Sequence, residues 1–507
     1  MVCELLTITV TDIMTTLGID IGSSSIKVSL MDIATGRAIA SCSSPSSEME
    51  IISQKRGWAE QNPEIWWKHV EICLKRVLPT KAEAAKVKAI GIAYQMHGLV
   101  CVDRELNPVM NSIIWCDSRA VETGAEAFNG IGEEYCLEHL LNSPGNFTVS
   151  KLAWVKKNMS TEYSKVYKFL LPGDYIMLKL TGKCETAECG ISEEMLWDVK
   201  EGAVAKFLLD YYGIDESLVP EYNPGIGIHG YTDRNTEALF GIKEGTPISY
   251  KCGDQPNNAF SLNVLNPGEI AATAGTSGAV YGVTDTDSLD RLSRVNTVLH
   301  VNNTKENKRN GILLCINGVG ILNAWMRRNM APDISYSEIN DIARQVPPGS
   351  DGLLVLPFGN GAERMLCNRF TGTQLLNIDL NKHTVKHILR ASQESIAFAF
   401  KYGIEIMSSI GLKPSMLKAG HANLFLSPLF VKTLATIADV AIELYNTDGS
   451  QGAARGAALG AGLYRTPGEA FGNLNKVATF LPDKTLKEPL AETYAKWTAA
   501  LEKALQD

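Results

Sequence analysis

The spacing of apolar residues divides the chain into two similar halves. From Leu17 to Ile39 the sequence LGIDIGSSSIKVSLMDIATGRAI reads as strand, turn, strand, turn and strand, with Gly36 at the second bend. The period then lengthens. In RGWAEQNPEIWWKHVEICLKRVL, Asn62 suits an N-cap and Pro63 the first helical position, while Trp66, Val70, Cys73, Leu74 and Val77 fall on one helical face. KVKAIGIAY is a buried strand that runs into QMHG, and LVCVDRELNPVM is a second strand ending in a turn. IIWCDSRA is another strand end carrying polar groups. Residues 120–218 read as mostly helical, an insertion covering one side of a cleft, with LLPGDYIMLKLTG in its middle.

The plan then recurs. Ile248 to Cys252 is a strand entering Gly253-Asp254, and PNNAFSLNVL reads as a helix after it. GEIAATAGTSGAVYGV repeats the strand, small-residue turn and strand of the first half. LLVLPF is a buried strand with a Gly-rich exit, FGNGAER, and a long helix is predicted from about Lys382 to Ile410. LKAGHANLF gives a strand and a Gly-containing turn, SPLFVKTLATIAD a helix. GSQGAARGAALGAGLY predicts a helix of small residues suited to close packing against a sheet or a nucleotide. An amphipathic surface helix is expected from Leu486 to Leu505. The fold class is therefore α/β, with domains over residues 15–262 and 263–507 on either side of a cleft. Residues 1–14 are expected to form a disordered leader.

Composition narrows the partners. At 507 residues the chain is long enough for two large cores. A formal net charge of −8, without blocks of like charge, argues against nucleic acid or an anionic membrane surface. No stretch approaches the roughly 20 apolar residues of a membrane span. The 11 cysteines are scattered and include no CxxC pair, which points to reduced thiols and a cytoplasmic protein.

The chemistry gathers at turns. GIDIGSSS offers Asp20, Gly22 and the hydroxyls and amides of Ser23, Ser24 and Ser25, groups that suit polyphosphate oxygens, with Asp20 placed to hold hydrated Mg²⁺. TAGTSG offers a second such turn. Asp254 lies between the two, where a carboxylate can take the proton of an attacking alcohol. Gln95, Met96 and His97 end a strand, and Asp117 and Arg119 end another, where sugar hydroxyls are commonly met. Trp58 offers an apolar ring for a sugar's carbon face or for the core.

Five elements in order, GIDIGSSSIK, YQMHG, IIWCDSRA, CGDQPNNA and TAGTSG, resemble the FGGY carbohydrate kinases, and within them the xylulokinases. KAGHANLFLSP followed by GAARGAALGA resembles the family's adenosine motif. The resemblance covers the chain from about Thr15 onward. It implies two ribonuclease H-like domains of the actin, hexokinase and Hsp70 type, and ATP-dependent phosphorylation of D-xylulose on its C5 hydroxyl. It implies Asp254 as general base, and Gln95, Met96, His97, Gln255, Arg119 and Trp58, with Asp254, at the sugar. Gly22, Ser23, Ser24, Ser25, Lys27, Gly275, Thr276, Ser277, Gly420 and Asn423 fall to the nucleotide, and Asp20 and Asp254 to Mg²⁺. The implied partner is a small sugar, and a homodimer is compatible with the family. Two departures stand out: Gln255 where many xylulokinases carry Asn, and Ala419-Gly420-His421-Ala422-Asn423 where a run of glycines is more usual. Ribulose, glycerol or gluconate as substrate, and an ATP-driven conformational protein without a sugar product, are the competing readings.

Overall fold

A computed structural model describes residues 13–506. Most of the expected leader, residues 1–12, lies outside the described residues. In the first half, β1 (Thr15–Ile21), β2 (Ile26–Asp32) and β3 (Arg37–Ser44) form an antiparallel meander, followed by α1 (Pro63–Val77) and β4 (Val87–Tyr94). After the insertion's first helices come α2 (Pro172–Thr181), β5 (Ile226–Tyr231), β6 (Pro247–Gly253) and α3 (Asp254–Ser261). The sheet order is β5-β6-β4-β1-β2-β3, with β1, β4 and β6 parallel.

The second half contains β7 (Glu269–Ala274), β8 (Gly278–Thr284), β9 (Asn296–Leu299), β10 (Asn310–Ile316) and α4 (Gly320–Met330). It continues through α5 (Val385–Ser409), β11 (Met416–Gly420), α6 (Pro428–Ala438), β12 (Ala441–Tyr445), α7 (Gly449–Gly460), β13 (Lys476–Phe480) and α8 (Lys484–Ala504). Its sheet runs β9-β10-β8-β7-β11-β12-β13, with β7, β11 and β12 parallel. The hairpins β1–β2 and β7–β8 hold equivalent places. Each first strand lies between an antiparallel partner and a parallel one.

Local sequence explains the elements. Asn62 caps α1 by accepting the Glu64 amide at 3.0 Å, and Trp66, Val70, Cys73, Leu74 and Val77 face the first core. LLPGDYIMLKLTG departs from its expected role as cover. Its helix α2 is almost wholly buried and packs on α1 and β4, because nine of its ten residues pack inward and Tyr175 and Ile176 fill the space beside Ile92. The rest of residues 121–218 does form a separate helical layer around Leu152, Val155, Phe169 and Leu208. In the second core α5 lays Phe398 and Phe400 against the sheet, and α8 adds Trp497, whose Nε1 donates to the Val355 carbonyl at 2.8 Å.

Helix α7 belongs by sequence to the second half, yet it lies across the first sheet, against β1, β4 and β6. The approach is close enough to dictate composition. A Cβ on Gly18 would stand 1.8 Å from the Ser450 carbonyl oxygen, and one on Gly91 2.0 Å from that of Ala453. This packing accounts for the Gly/Ala-rich helix read from the sequence.

Candidate active site

The register of the first sheet builds one edge of the site. Ile21, Tyr94 and Gly253 pair side by side, so Gly22, Gln95 and Asp254 all leave the sheet at the carboxyl ends of parallel strands. Ligands bind at such edges in open α/β sheets. Asp254 is the first residue of α3. Burial, then the neighbouring Asp20, push its carboxyl up to about 7, while its own amide and that of Gln255 pull the other way. Asp20 is pushed up to about 6 by burial and then by Asp448, with Lys27 opposing.

Asp448 escaped the sequence reading. It caps α7, accepting from Gln451 N at 3.1 Å and Ser450 Oγ at 2.7 Å, and Lys27 Nζ donates to its Oδ2 at 2.7 Å. Burial acts to raise Asp448, but Lys27 and these donors outweigh it and hold it low. Lys27, expected at the nucleotide, is thus engaged by a carboxylate. Asp20 is different: among the described residues its carboxylate has no hydrogen bond or ion pair, and its Oδ2 is 2.1 Å from where a Cβ on Gly449 would stand. A buried carboxylate raised by its neighbour Asp448, lacking a partner of its own and in turn raising Asp254, fits a divalent cation. Among the described residues no three His, Cys, Asp or Glu gather to chelate a metal, so an ion here would draw most ligands from phosphate and water.

The first turn is held from two sides. Gln61 Nε2 donates to the Ser23 carbonyl at 2.7 Å, Met49 N to that of Ser24 at 2.9 Å, and Trp115 Nε1 to Ser23 Oγ at 3.2 Å. Ser24 is exposed, and Gly22 and Ser25 are partly so. The second turn packs on the start of α4. Gly320 N and Ile321 N donate to the carbonyls of Gly275 and Thr276 at 2.9 and 3.0 Å. A cavity of about 630 Å³ opens here, lined by Gly275, Thr276, Arg328, Tyr336, Asn340 and Asn423 among others. Asn423 Nδ2 is 3.8 Å from where a Cβ on Gly275 would stand, which brings the turn at residues 419–423 against the TAGTSG turn. Ser277 and Gly420 flank the same strands without lining that cavity.

His97 adopts a left-handed backbone (φ 58°) and is clamped to the insertion. Its N and Nδ1 donate to Glu193 Oε1 and the Glu193 carbonyl at 3.2 and 3.0 Å, and Lys151 Nζ donates to its own carbonyl at 2.7 Å. Because Nδ1 faces a carbonyl it carries the proton, leaving Nε2 as an acceptor. Burial first, then Lys151, hold the imidazole down to about 3, so the ring is neutral. Lys151 itself is pushed down to about 7 by burial and also ties the Ile114 carbonyl. Neither Glu193 nor Lys151 was found from sequence. Both lie in the helical insertion with no motif around them.

The remaining expected sugar residues divide. Gln95 is buried, and neither end of its amide has a partner among the described residues. Met96 is 5% exposed and packs beneath Gly253, its Cγ 2.5 Å from where a Cβ there would stand. Gln255 adjoins Asp254 at the start of α3. Trp58 and Arg119 form a knot. The guanidinium stacks 3.9 Å over the Trp58 ring, pairs with Asp117 and Glu60 at 2.7 and 2.8 Å, and is 1% exposed.

Comparison with known proteins agrees with this architecture. Residues 15–261 match the N-terminal domain of the FGGY family of carbohydrate kinases. The chain is similar to the xylulose kinase of Haemophilus influenzae, 28% identical over 414 residues, covering 79% of this chain and 81% of the relative. It is also similar to the L-xylulose/3-keto-L-gulonate kinase of Escherichia coli, 27% identical over 499 residues, with 95% of each covered. In fold it is similar to the crystal structure of xylulose kinase from Rhodospirillum rubrum, with a TM-score of 0.88 at 23% identity, covering 97% of this chain and 100% of that one. Two sheets of related topology, a carboxylate at the head of the helix that follows the first and a small-residue turn on each side accompany these matches, and residues 15–261 are an N-terminal domain of the FGGY family of carbohydrate kinases.

Proposed function

We propose that the protein transfers the terminal phosphoryl group of ATP to the C5 hydroxyl of D-xylulose, with Asp254 as the general base. The observation that carries this reading is the position of Asp254. It heads a helix at the sheet edge that also bears Gln95 and His97, with a carboxyl pushed up to about 7, close to the pH at which a base must act.

In this reading the sugar's C5 hydroxyl donates its hydrogen to Asp254. As the new O–P bond forms and the bond to ADP breaks, the proton passes to the carboxylate. The transition state is loose, so orientation matters more than base strength. His97, neutral and with Nε2 as acceptor, receives a sugar hydroxyl, and the unpartnered Gln95 amide and Gln255 supply further polar contacts. Met96 sets the floor through Gly253. Gly22, Ser23, Ser24 and Ser25 face the phosphates from one side and Gly275, Thr276 and Ser277 from the other, while Asn423 and Gly420 border the adenosine. Asp20, with Asp254 opposite, would hold Mg²⁺, which when bound neutralises charge on the β- and γ-phosphates.

The substrate is tested by ADP release with Mg-ATP across D-xylulose, L-xylulose, D-ribulose, L-ribulose, glycerol and gluconate. Highest kcat/KM with D-xylulose is expected. A different preferred sugar would keep the kinase chemistry and overturn the substrate. Release without any dependence on sugar would favour the conformational-ATPase reading.

A further inference from the structure

A second cavity, of about 410 Å³, opens on the sugar side of the cleft. His97, Trp115 and Phe147 line it from the first half of the chain, and Ser293, Asn296 and Arg364 from the second. Arg364 follows Glu363 in the FGNGAER segment. Glu363 anchors that segment by accepting the amides of Asn317 and Gly318 at 3.0 and 3.1 Å. The Arg364 guanidinium lies 5.9 Å from the centre of the Phe147 ring, and the same ring meets His97 edge-on at 4.8 Å. Its Nε donates to the Ser293 carbonyl at 2.8 Å. Among the described residues no carboxylate pairs with it, and none lines the cavity.

A partly buried guanidinium with one neutral partner keeps four N–H donors to satisfy, and a cavity wall without acids leaves them to a ligand's oxygens. Asp254 does not line this cavity, so the Arg364 wall is open to sugar oxygens other than the hydroxyl held at Asp254. We propose that Arg364, supplied by the second half of the chain, is a specificity-determining substrate contact that reads the C1 hydroxyl and C2 carbonyl of a keto-sugar whose C5 hydroxyl is phosphorylated. The proposal rests on the kinase reading above. It makes the sugar pocket incomplete without both halves.

The test compares D-xylulose with 1-deoxy-D-xylulose, which lacks only the C1 hydroxyl, in the wild type and in Arg364→Met and Arg364→Lys. A charge-assisted hydrogen bond is worth roughly 10- to 100-fold, so the wild type should prefer D-xylulose by that ratio in kcat/KM. Arg364→Met should collapse the preference toward unity, mainly through a higher KM for D-xylulose, and Arg364→Lys should restore part of it. A purely structural arginine would lower turnover of both sugars equally and leave the ratio intact, which overturns the proposal. A wild type that treats the two sugars alike overturns it without any variant. A wild type that phosphorylates neither sugar refutes the D-xylulose reading instead.

Discussion

Lys27 and Asp448 meet at 2.7 Å although 421 residues separate them in sequence, and this pair ties the first hairpin to the N-terminus of the helix that crosses the first sheet. Two roles of Asp448 can be separated. Asn caps a helix as well as Asp does, so Asp448→Asn should keep α7 and lose only the ion pair. Asp448→Ala should lose both and be less stable than Asp448→Asn by about 1 kcal/mol in urea unfolding. Equal stability of the two variants would show that the cap adds nothing.

Asp254→Ala should abolish sugar-dependent ADP release while D-xylulose binding, measured by calorimetry, largely survives. Turnover near the wild-type rate would remove Asp254 as the base.

The raised carboxyl sets two pH effects. The base acts when ionised, so kcat/KM should rise with pH and level off above about 7. Stability runs the other way. The folded-state value of about 7 exceeds the ordinary 3.8, so the folded chain binds the extra proton, and the stabilisation is complete below 3.8 and lost as pH rises through about 7. Asp254→Asn should therefore melt a few degrees above the wild type at pH 8, the gap narrowing toward pH 4. A constant gap across that window would show that Asp254 titrates normally.

Arg119 is already engaged through Nε and Nη2 by Asp117 and Glu60 and through its face by the Trp58 ring, with its buried Nη1 alone lacking a partner among the described residues. Arg119→Met should cost about 3 kcal/mol of stability, because two carboxylates are left behind, and change the KM for sugar little. A large KM change at unchanged stability would instead make Arg119 a direct sugar contact.

Gly18→Ala would set a methyl group against the Ser450 carbonyl. A loss of about 3 kcal/mol is expected, since neither backbone can yield without moving α7 off the sheet. Thermal melts read this directly, and an unchanged Tm would mean that the helix is free to shift.

Much of this arrangement is legible in the residues because it is local. Asn62-Pro63 starts a helix wherever it occurs, and the two small-residue turns announce themselves between alternating strands. What sequence hides is non-local. Nothing near Lys27 shows that its partner is Asp448, although TDGSQG carries an ordinary helix-start signal. Lys151 and Glu193, which set the His97 tautomer and backbone, sit in helices whose periodicity reports only packing. α2 read as cover because its apolar residues could serve either layer, and only the sheet beside it settles which.

The placement of α7 has a consequence for synthesis. The strands of the first sheet are complete once Gly253 has been made, but the helix that seals one of its faces ends at Gly460. At 5–20 residues per second on the ribosome, roughly 10–40 s separate the two events. During that interval the glycine-bearing face of β1 and β4 lacks its cover, so the first domain of the nascent chain presents an uncovered sheet face that a chaperone can protect.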